Sequence, residues 1–391
     1  MEQRDVISRK RRDADLAALA VCTLFDFAQF HATQHIQMEL IASHMRIVWS
    51  MNKRREYVIS GYPSEPILAI AALHHLHEVN RLGERLQTLS FMRDAVIEHH
   101  IAKGEKGELV ARLILILAMY KALNLPDTSG HLEPIPSVDV RDFLQALLPD
   151  GDHVDKFWAS SPCRGGVSGA PTVDKIYQNA KIYFTHFVRY AITPEAKHLW
   201  AAVVRGQAIQ CSFQQEEVDI IIPVVLDAQA KLAEKHMSAI LIQVRNRTSL
   251  ATWQPVAKKI GLFGEELTPY ISIVFQLGLP KPAGKEINTP SPHTANNQAM
   301  LAVCLPPAPL RASERKAKNE GGQYCINIQG CFSKSFGAIC KEEEELFQQM
   351  LDSQDIVASH PRQNEDCIKA VAALKPYWGD REGTFDWTDF E

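Results

Sequence analysis

A mixed α/β fold with a central sheet is what this sequence predicts, on three observations. Residues 12–125 repeat apolar side chains at three- and four-residue steps, the period of a helix with one buried face. Residues 218–226 ("VDIIIPVVL") and 239–245 ("AILIQVR") are short runs of Ile, Leu and Val, as expected of strands covered on both faces. A third such run, "QYCINIQGC" at 323–331, comes late in the chain.

The elements follow in order. "DADLAALAVCTLFDFAQFHATQHIQMELIASHMRIVW" at 13–49 holds no proline and reads as helix. "SGYPSEPILAIAALHHLHEV" at 60–79 opens on turn residues, with a helix from about Glu65 and Pro66 suited to its first turn. "GEKGELVARLILILAMYKAL" at 104–123 is a helix opened by Gly107 and Glu108, apolar almost all round and therefore central. Residues 124–175 are rich in turn residues around a short amphipathic helix, "VDVRDFLQALL". "KIYQNAKIYFTHFVRYA" at 175–191 is aromatic and β-branched. "TPEAKHLWAAVVRG" at 193–206 is a helix with Thr193 as N-cap, Pro194 in the first turn and Gly206 as stop. A hairpin follows, with strands 207–213 and 218–226 and a turn at 214–217; then a helix at 227–236 and a strand at 239–245. Residues 278–322, rich in Pro, Asn, Ser and Gly, read as a long loop insertion. "KEEEELFQQML" is a helix with an acidic start, and the last residues show little periodicity. Grouped into regions, these elements give a large N-terminal helical region over 1–150, an α/β core over 151–345 and a C-terminal helix and tail over 346–391.

The totals narrow the function classes. The chain has 391 residues, 46% hydrophobic and 23% charged, an ordinary globular balance. A net charge of −4 argues against a uniformly basic nucleic-acid binder but leaves room for a local basic groove. The 8 cysteines form no CxxC pair and read as reduced thiols, which places the chain in cytoplasm or nucleus. The strongest apolar run, "LILILAMY" at 113–120, is too short to cross a bilayer, which takes ~20 residues, so no membrane is expected. "RKRR" at 9–12 reads as a solvated helix start ahead of a nuclear signal.

The chemistry is expected where the two strand runs meet. Asp219 opens "DIIIPVV", and Gln243 and Arg245 lie on the next strand. Side chains alternate along a strand, so Gln243 and Arg245 share one face and Val244 takes the other. Neighbouring strands would bring Asp219, Gln243 and Arg245 together. Polar groups among Ile, Leu and Val are costly without partners or a metal. An acid, then an acid or amide, then a cation two residues on suits metal-dependent phosphodiester cleavage. Mg²⁺ takes oxygen ligands and lowers the pKa of a bound water, and the cation supports developing negative charge. A strand-edge Asp bonded to a turn and paired with the arginine is the plainer reading of the same residues.

"VDIIIPV" with "ILIQVRN" resembles the PD-(D/E)xK motif of restriction-endonuclease-like nucleases. Beyond it, "SHMRIVWS", "REYVISGYPSEPILAIAA", "GELVARLILILA", "FTHFV", "RGQAIQCSFQQEEVDIIIPVV", "MSAILIQVRN" and "INIQGC" resemble the C-terminal, nuclease-like region of fungal Crinkler-type proteins, over about 40–340. The resemblance implies a restriction-endonuclease-like sheet, a Mg²⁺ cofactor and a nucleic-acid partner, DNA ahead of RNA. It matches Asp219 to the motif aspartate, Gln243 to the (E/Q) and Arg245 to the lysine. The motif's helix acid falls on Glu108 first and Glu65 second. Two departures matter. Glutamine brings no charge to the metal, and arginine, unlike lysine, keeps its proton. Both weaken activity, and a degenerate effector or scaffold module that binds nucleic acid or protein is the alternative. The nucleoside-triphosphatase module often joined to such domains has no phosphate loop here: "GLPKPAGKE" has one residue too many between its glycines and Glu286 where Ser or Thr is needed.

The remaining candidates are weaker. His74, His77 and Glu78, followed by His99 and His100, lack the spacing of a zinc site and read as a helix's polar face. "CRGGVSGAP" at 163–171 reads as a loop, and Cys163 as a nucleophile has no located partner. Lys258, Lys259, Lys281 and Lys285 read as solvated side chains before phosphate contacts.

Overall fold

The computed structural model describes residues 2–25, 31–51, 58–98, 103–123, 137–149, 151–163, 171–212, 217–231, 233–248, 254–263, 268–280, 301–303 and 322–352. Several expectations fall outside them: His99 and His100, the turn-rich residues 124–136, most of "CRGGVSGAP", Lys281 and Lys285, most of the 278–322 insertion, and the tail from 353.

In chain order the described elements are α1 (Glu2–Thr23), α2 (His31–Ser43), β1 (Ile47–Met51), β2 (Val58–Gly61), α3 (Pro66–Arg81), α4 (Arg85–Glu98), α5 (Lys103–Leu123), β3 (Val138–Asp139), α6 (Val140–Leu147), α7 (His153–Trp158), α8 (Val173–Tyr177), β4 (Lys181–Ile182), β5 (His186–Arg189), α9 (Ala196–Val204), β6 (Gln207–Gln210), β7 (Ile220–Val225), β8 (Met237–Arg245), β9 (Tyr270–Gln276), β10 (Leu301–Val303), β11 (Gln323–Gln329) and α10 (Glu344–Asp352). The fold is mixed α/β. A curled sheet runs β10-β11-β9-β8-β7-β4-β3, with β6 joined to β7 and β5 to β6.

The sheet is covered on both sides, which is why its strands lack the polar alternation of a half-exposed sheet. Ile220, Ile222, Ile240, Ile242, Ile271 and Ile273 face a core shared with α1, α5 and α6. Ile221, Val225, Ala239 and Leu241 face a second core, closed by Leu199, Ala202 and Val203 of α9. The edge of β7 is divided: Ile220 and Ile221 pair with β6, whereas Val224 and Val225 pair with β4. Pro223, which has no amide proton, sits between the two stretches, where a proline costs a ladder least. Helix α5 is central, with Leu113 to Ala118 all buried. Among the described residues no helix is long and apolar enough to cross a membrane.

Several elements differ from the sequence reading. The 12–125 stretch contains a hairpin, β1–β2, where helical periodicity was expected. Arg46 pins it: Nε donates to Ser60 Oγ and Nη2 to Ser60 O (both 2.8 Å), and Ser60 Oγ donates to Gln37 Oε1 (2.7 Å). The helix expected at 227–236 is a turn ending in a short 3₁₀ segment, Glu234–His236. There the Gln229 amide donates to Asp227 Oδ1 (3.0 Å), and Leu226 N donates to His236 O (2.9 Å), which carries the β7–β8 ladder on and leaves too few residues for a helix. Helix α9 starts at Ala196 with Glu195 as N-cap, not Thr193, because Glu195 N donates to His198 Nδ1 (2.9 Å). The strand expected to run to residue 213 is Gln207–Gln210, and β9 was not anticipated.

Gly278, just past β9, marks a close backbone approach. A Cβ there would lie 2.6 Å from Arg247 N and 2.8 Å from Asn246 C, atoms unable to rotate away. Gly278→Ala is therefore expected to cost about 2 kcal/mol and lower Tm by a few degrees in a thermal melt; an unchanged Tm would mean that the two turns do not touch.

Candidate functional site

The site forms where β7 begins, β8 ends and α5 passes. The β7–β8 register pairs Ile220 with Ile242, so one step further Asp219 stands opposite Gln243. The ladder is irregular there, since Asp219 N donates to Ile242 O (3.0 Å). The carboxylate takes over instead: Asp219 Oδ2 accepts from Val244 N (2.6 Å) and from Gln243 Nε2 (2.7 Å). On the other side Cys211 N donates to Asp219 O (2.8 Å), which places Cys211, Asp219 and Gln243 in a row across three strands.

With its amide nitrogen turned to Asp219, Gln243 directs its carbonyl away. That oxygen, Gln243 Oε1, is buried and accepts no hydrogen bond. Buried polar atoms are nearly always satisfied, so an orphan of this kind calls for an explanation.

Helix α5 brings in Glu108. It begins at Lys103, so Glu108 lies inside the helix rather than at its opening. Gly107 permits the approach: a Cβ there would meet Asn246 Cβ at 3.0 Å and Val244 Cγ1 at 3.7 Å. Glu108 Oε2 accepts from Gln210 Nε2 (2.8 Å), and Gln210 Oε1 accepts from Arg112 Nη1 (2.6 Å). Arg112 Nη1 is 4.0 Å from Glu108 Oε2 and also holds α1, donating from Nε to Thr23 O (2.7 Å). Glu108 is thus held by a buried arginine and a buried glutamine, yet keeps 16% of its side chain exposed.

The electrostatics tie these groups together. Burial pushes the Asp219 carboxyl from 3.8 up to about 7, and the negative charge of Glu108 adds to the rise. The Val244 amide, the Arg245 guanidinium and the Gln243 amide act in the opposite direction but do not overcome burial. Cys211 is pushed up by burial, then by Asp219 and Glu108. Gln243, Arg245 and Glu108 thus each act on Asp219, Gln243 through a direct hydrogen bond and Arg245 and Glu108 through their charges. Glu65, the other candidate helix acid, is the N-cap residue of α3, and the carboxylate acting on Asp219 is Glu108. Gln210 and Arg112 were not singled out in the sequence, although Arg112 follows Glu108 by one helical turn in an otherwise apolar stretch, a readable signal.

The other candidates have structural roles. His77 Nδ1 meets Tyr120 OH (2.6 Å), and Glu78 pairs with Arg81. Arg11 of the "RKRR" run pairs with Glu84, and Lys259 Nζ with Glu217 Oε1 (2.6 Å). Among the described residues, no group of three or more His, Cys, Asp or Glu side chains is placed to hold a metal ion; the Asp219 neighbourhood offers two carboxylates and an amide oxygen.

The pKa displacement has a stability consequence. The folded-state value lies above the unfolded one, so the contribution of Asp219 is intact below about pH 4 and is lost as pH rises through 7. Asp219→Asn removes the ionisation. In urea unfolding the variant is expected to gain on the native chain between pH 5 and 8, by on the order of 2–4 kcal/mol. Parallel curves across that range would mean that Asp219 ionises normally.

A family model described as "Domain of unknown function (DUF8736)" matches residues 8–255, a span from α1 past β8 that includes Glu108, Asp219, Gln243 and Arg245. No curated protein and no solved structure matches the chain. With more than half of its 391 residues matched, the chain belongs to the DUF8736 family.

Proposed function

We propose that this chain is a PD-(D/E)xK-like phosphodiesterase module, with a restriction-endonuclease-like sheet behind an N-terminal helical region, acting on DNA inside a cell. The observation that carries the reading is Gln243 Oε1, a buried carbonyl oxygen with no donor, beside a carboxyl pushed up to about 7 by burial and by Glu108. A hard divalent cation answers both facts at once. It would accept the orphan oxygen and hold Asp219 in its charged form. Asp219, Gln243 and Glu108 would hold it, with water completing the shell as Mg²⁺ prefers. When bound, the metal supplies Lewis acidity at the phosphate and a more acidic water.

The chain's own residues do the rest. Gln210 and Arg112 fix Glu108 from behind, so this carboxylate need not reorganise on binding. Val244 N fixes one oxygen of Asp219. Arg245, two residues beyond Gln243, would face the scissile phosphate and support its charge without moving a proton.

The glutamine and arginine also favour a second reading. With one carboxylate fewer and no titratable lysine, the same residues would serve a module that binds nucleic acid or protein without cutting, as in a Crinkler-like effector.

Plasmid cleavage in Mg²⁺ or Mn²⁺ tests both. The native chain is expected to nick slowly, Arg245→Lys to nick about tenfold faster by restoring the lysine chemistry, and Asp219→Asn to lose activity. If the native chain and Arg245→Lys are inert in every divalent metal while DNA binding persists, the binding module is the correct reading.

A further inference from the structure

A second arrangement, which uses none of these residues, lies where the start of α3 meets β5 and β6. Ser64 Oγ is 2.8 Å from His186 Nε2. The hydrogen bonds around the pair accommodate the tautomer a general base needs. Thr185 Oγ1 donates to Gly206 O (3.3 Å), so its oxygen is free to accept, and it lies 3.0 Å from His186 Nδ1. With its ring proton on Nδ1, donated to Thr185 Oγ1, His186 presents a lone pair on Nε2 to the Ser64 hydroxyl. Gln207 Nε2 in turn donates to Ser64 Oγ. Burial and the charge of Arg205 hold His186 down to about 4, so the imidazole is neutral at physiological pH.

Three further features are those of a nucleophile's surroundings. His186 and Thr185 are each only 1% exposed, whereas Ser64 is half-buried. Arg205 Nη2 donates to Ser64 O (2.7 Å), which anchors a cation beside the hydroxyl. Ser64 also directly precedes the N-terminus of α3, where Glu65 supplies no side-chain cap to the first-turn amides and Pro66 has no amide proton. Those amides and the guanidinium are donors of the kind that stabilise an oxyanion. Close by in sequence, Ile67 and Val204 are exposed apolar side chains, 68% and 53%.

We propose that Ser64 and His186 form a nucleophile–base pair that acts on carboxylic esters with an apolar acyl group. Ser64 Oγ bonds to the carbonyl carbon while its proton passes to His186 Nε2, and the carbonyl electron pair moves onto oxygen, facing Arg205 and the α3 amides. Collapse of this adduct breaks the bond to the alkoxide, which takes the proton back from Nε2, and leaves an acyl-serine. Water repeats the sequence, losing a proton to Nε2, and releases the acid and free Ser64. Thr185 stands where efficient serine hydrolases place a carboxylate, so turnover is slow and the acyl-serine is the readily observed species.

The test is covalent labelling of the full-length chain with an alkyl fluorophosphonate, located by peptide mass spectrometry, together with p-nitrophenyl butyrate hydrolysis. The expected result is one adduct at Ser64, none in Ser64→Ala, and labelling at least about 50-fold slower in His186→Gln, which keeps a polar side chain in the cavity. No adduct on the native chain, an adduct on a different residue, or a rate indifferent to His186→Gln overturns the proposal. None of these readouts depends on divalent metal or DNA, so they stand apart from the Asp219 site.

Discussion

The carboxylate of Asp219 closes the β7–β8 ladder, and the geometry of the candidate site follows from that contact. Regular backbone pairing ends at Ile220 and Ile242, the last cross-strand backbone bond runs from Asp219 N to Ile242 O, and Val244 N is taken by a side chain. A buried backbone donor needs an acceptor, and here the acceptor is ionisable. Its burial raises the carboxyl to about 7. Its second donor, Gln243, is thereby turned so that a carbonyl oxygen is left unbonded. The strand end is thus held together with one buried carbonyl oxygen left unbonded.

The rest of the architecture keeps that end rigid. A sheet packed on both faces fixes β7 and β8, while α5, buried along most of its length, carries Glu108 to them. Arg112 joins α5 to α1 at Thr23 and to β6 at Gln210, so the carboxylate is set by contacts from three elements. Strand β6 has a double role. Side-chain alternation sends Gln207 and Gln210 to opposite faces, one toward Ser64 and the other toward Glu108. Two buried glutamines in a four-residue strand mark where both candidate sites meet the sheet.

Much of this was legible in the sequence where a strong local pattern also matches the tertiary one. The Ile-rich runs gave β7, β8 and β11, and the pleat gave the shared face of Gln243 and Arg245. The all-round apolar 109–120 stretch gave a central helix, and the carboxylate just ahead of it gave Glu108 as a candidate. Other features were hidden because long-range contacts set them. The β1–β2 hairpin depends on Arg46 bonding Ser60, and its apolar residues fit a helical period equally well. The 227–236 segment has helix-forming composition, yet the β7–β8 register leaves it room only for a turn. Neither the Gln210 clamp nor the pairing of Ser64 with His186, 122 positions apart, leaves a local trace.

The central claim is that Asp219 is a carboxyl held near neutrality by burial, beside an amide oxygen that accepts no hydrogen bond. Site-resolved ¹³C-carboxyl NMR, with Asp219→Asn to assign the resonance, reads that property directly. The account predicts a metal-free midpoint near 7 that falls by about one unit or more in Mg²⁺, since a bound cation favours the charged form. A midpoint near 4 that ignores Mg²⁺ would contradict it.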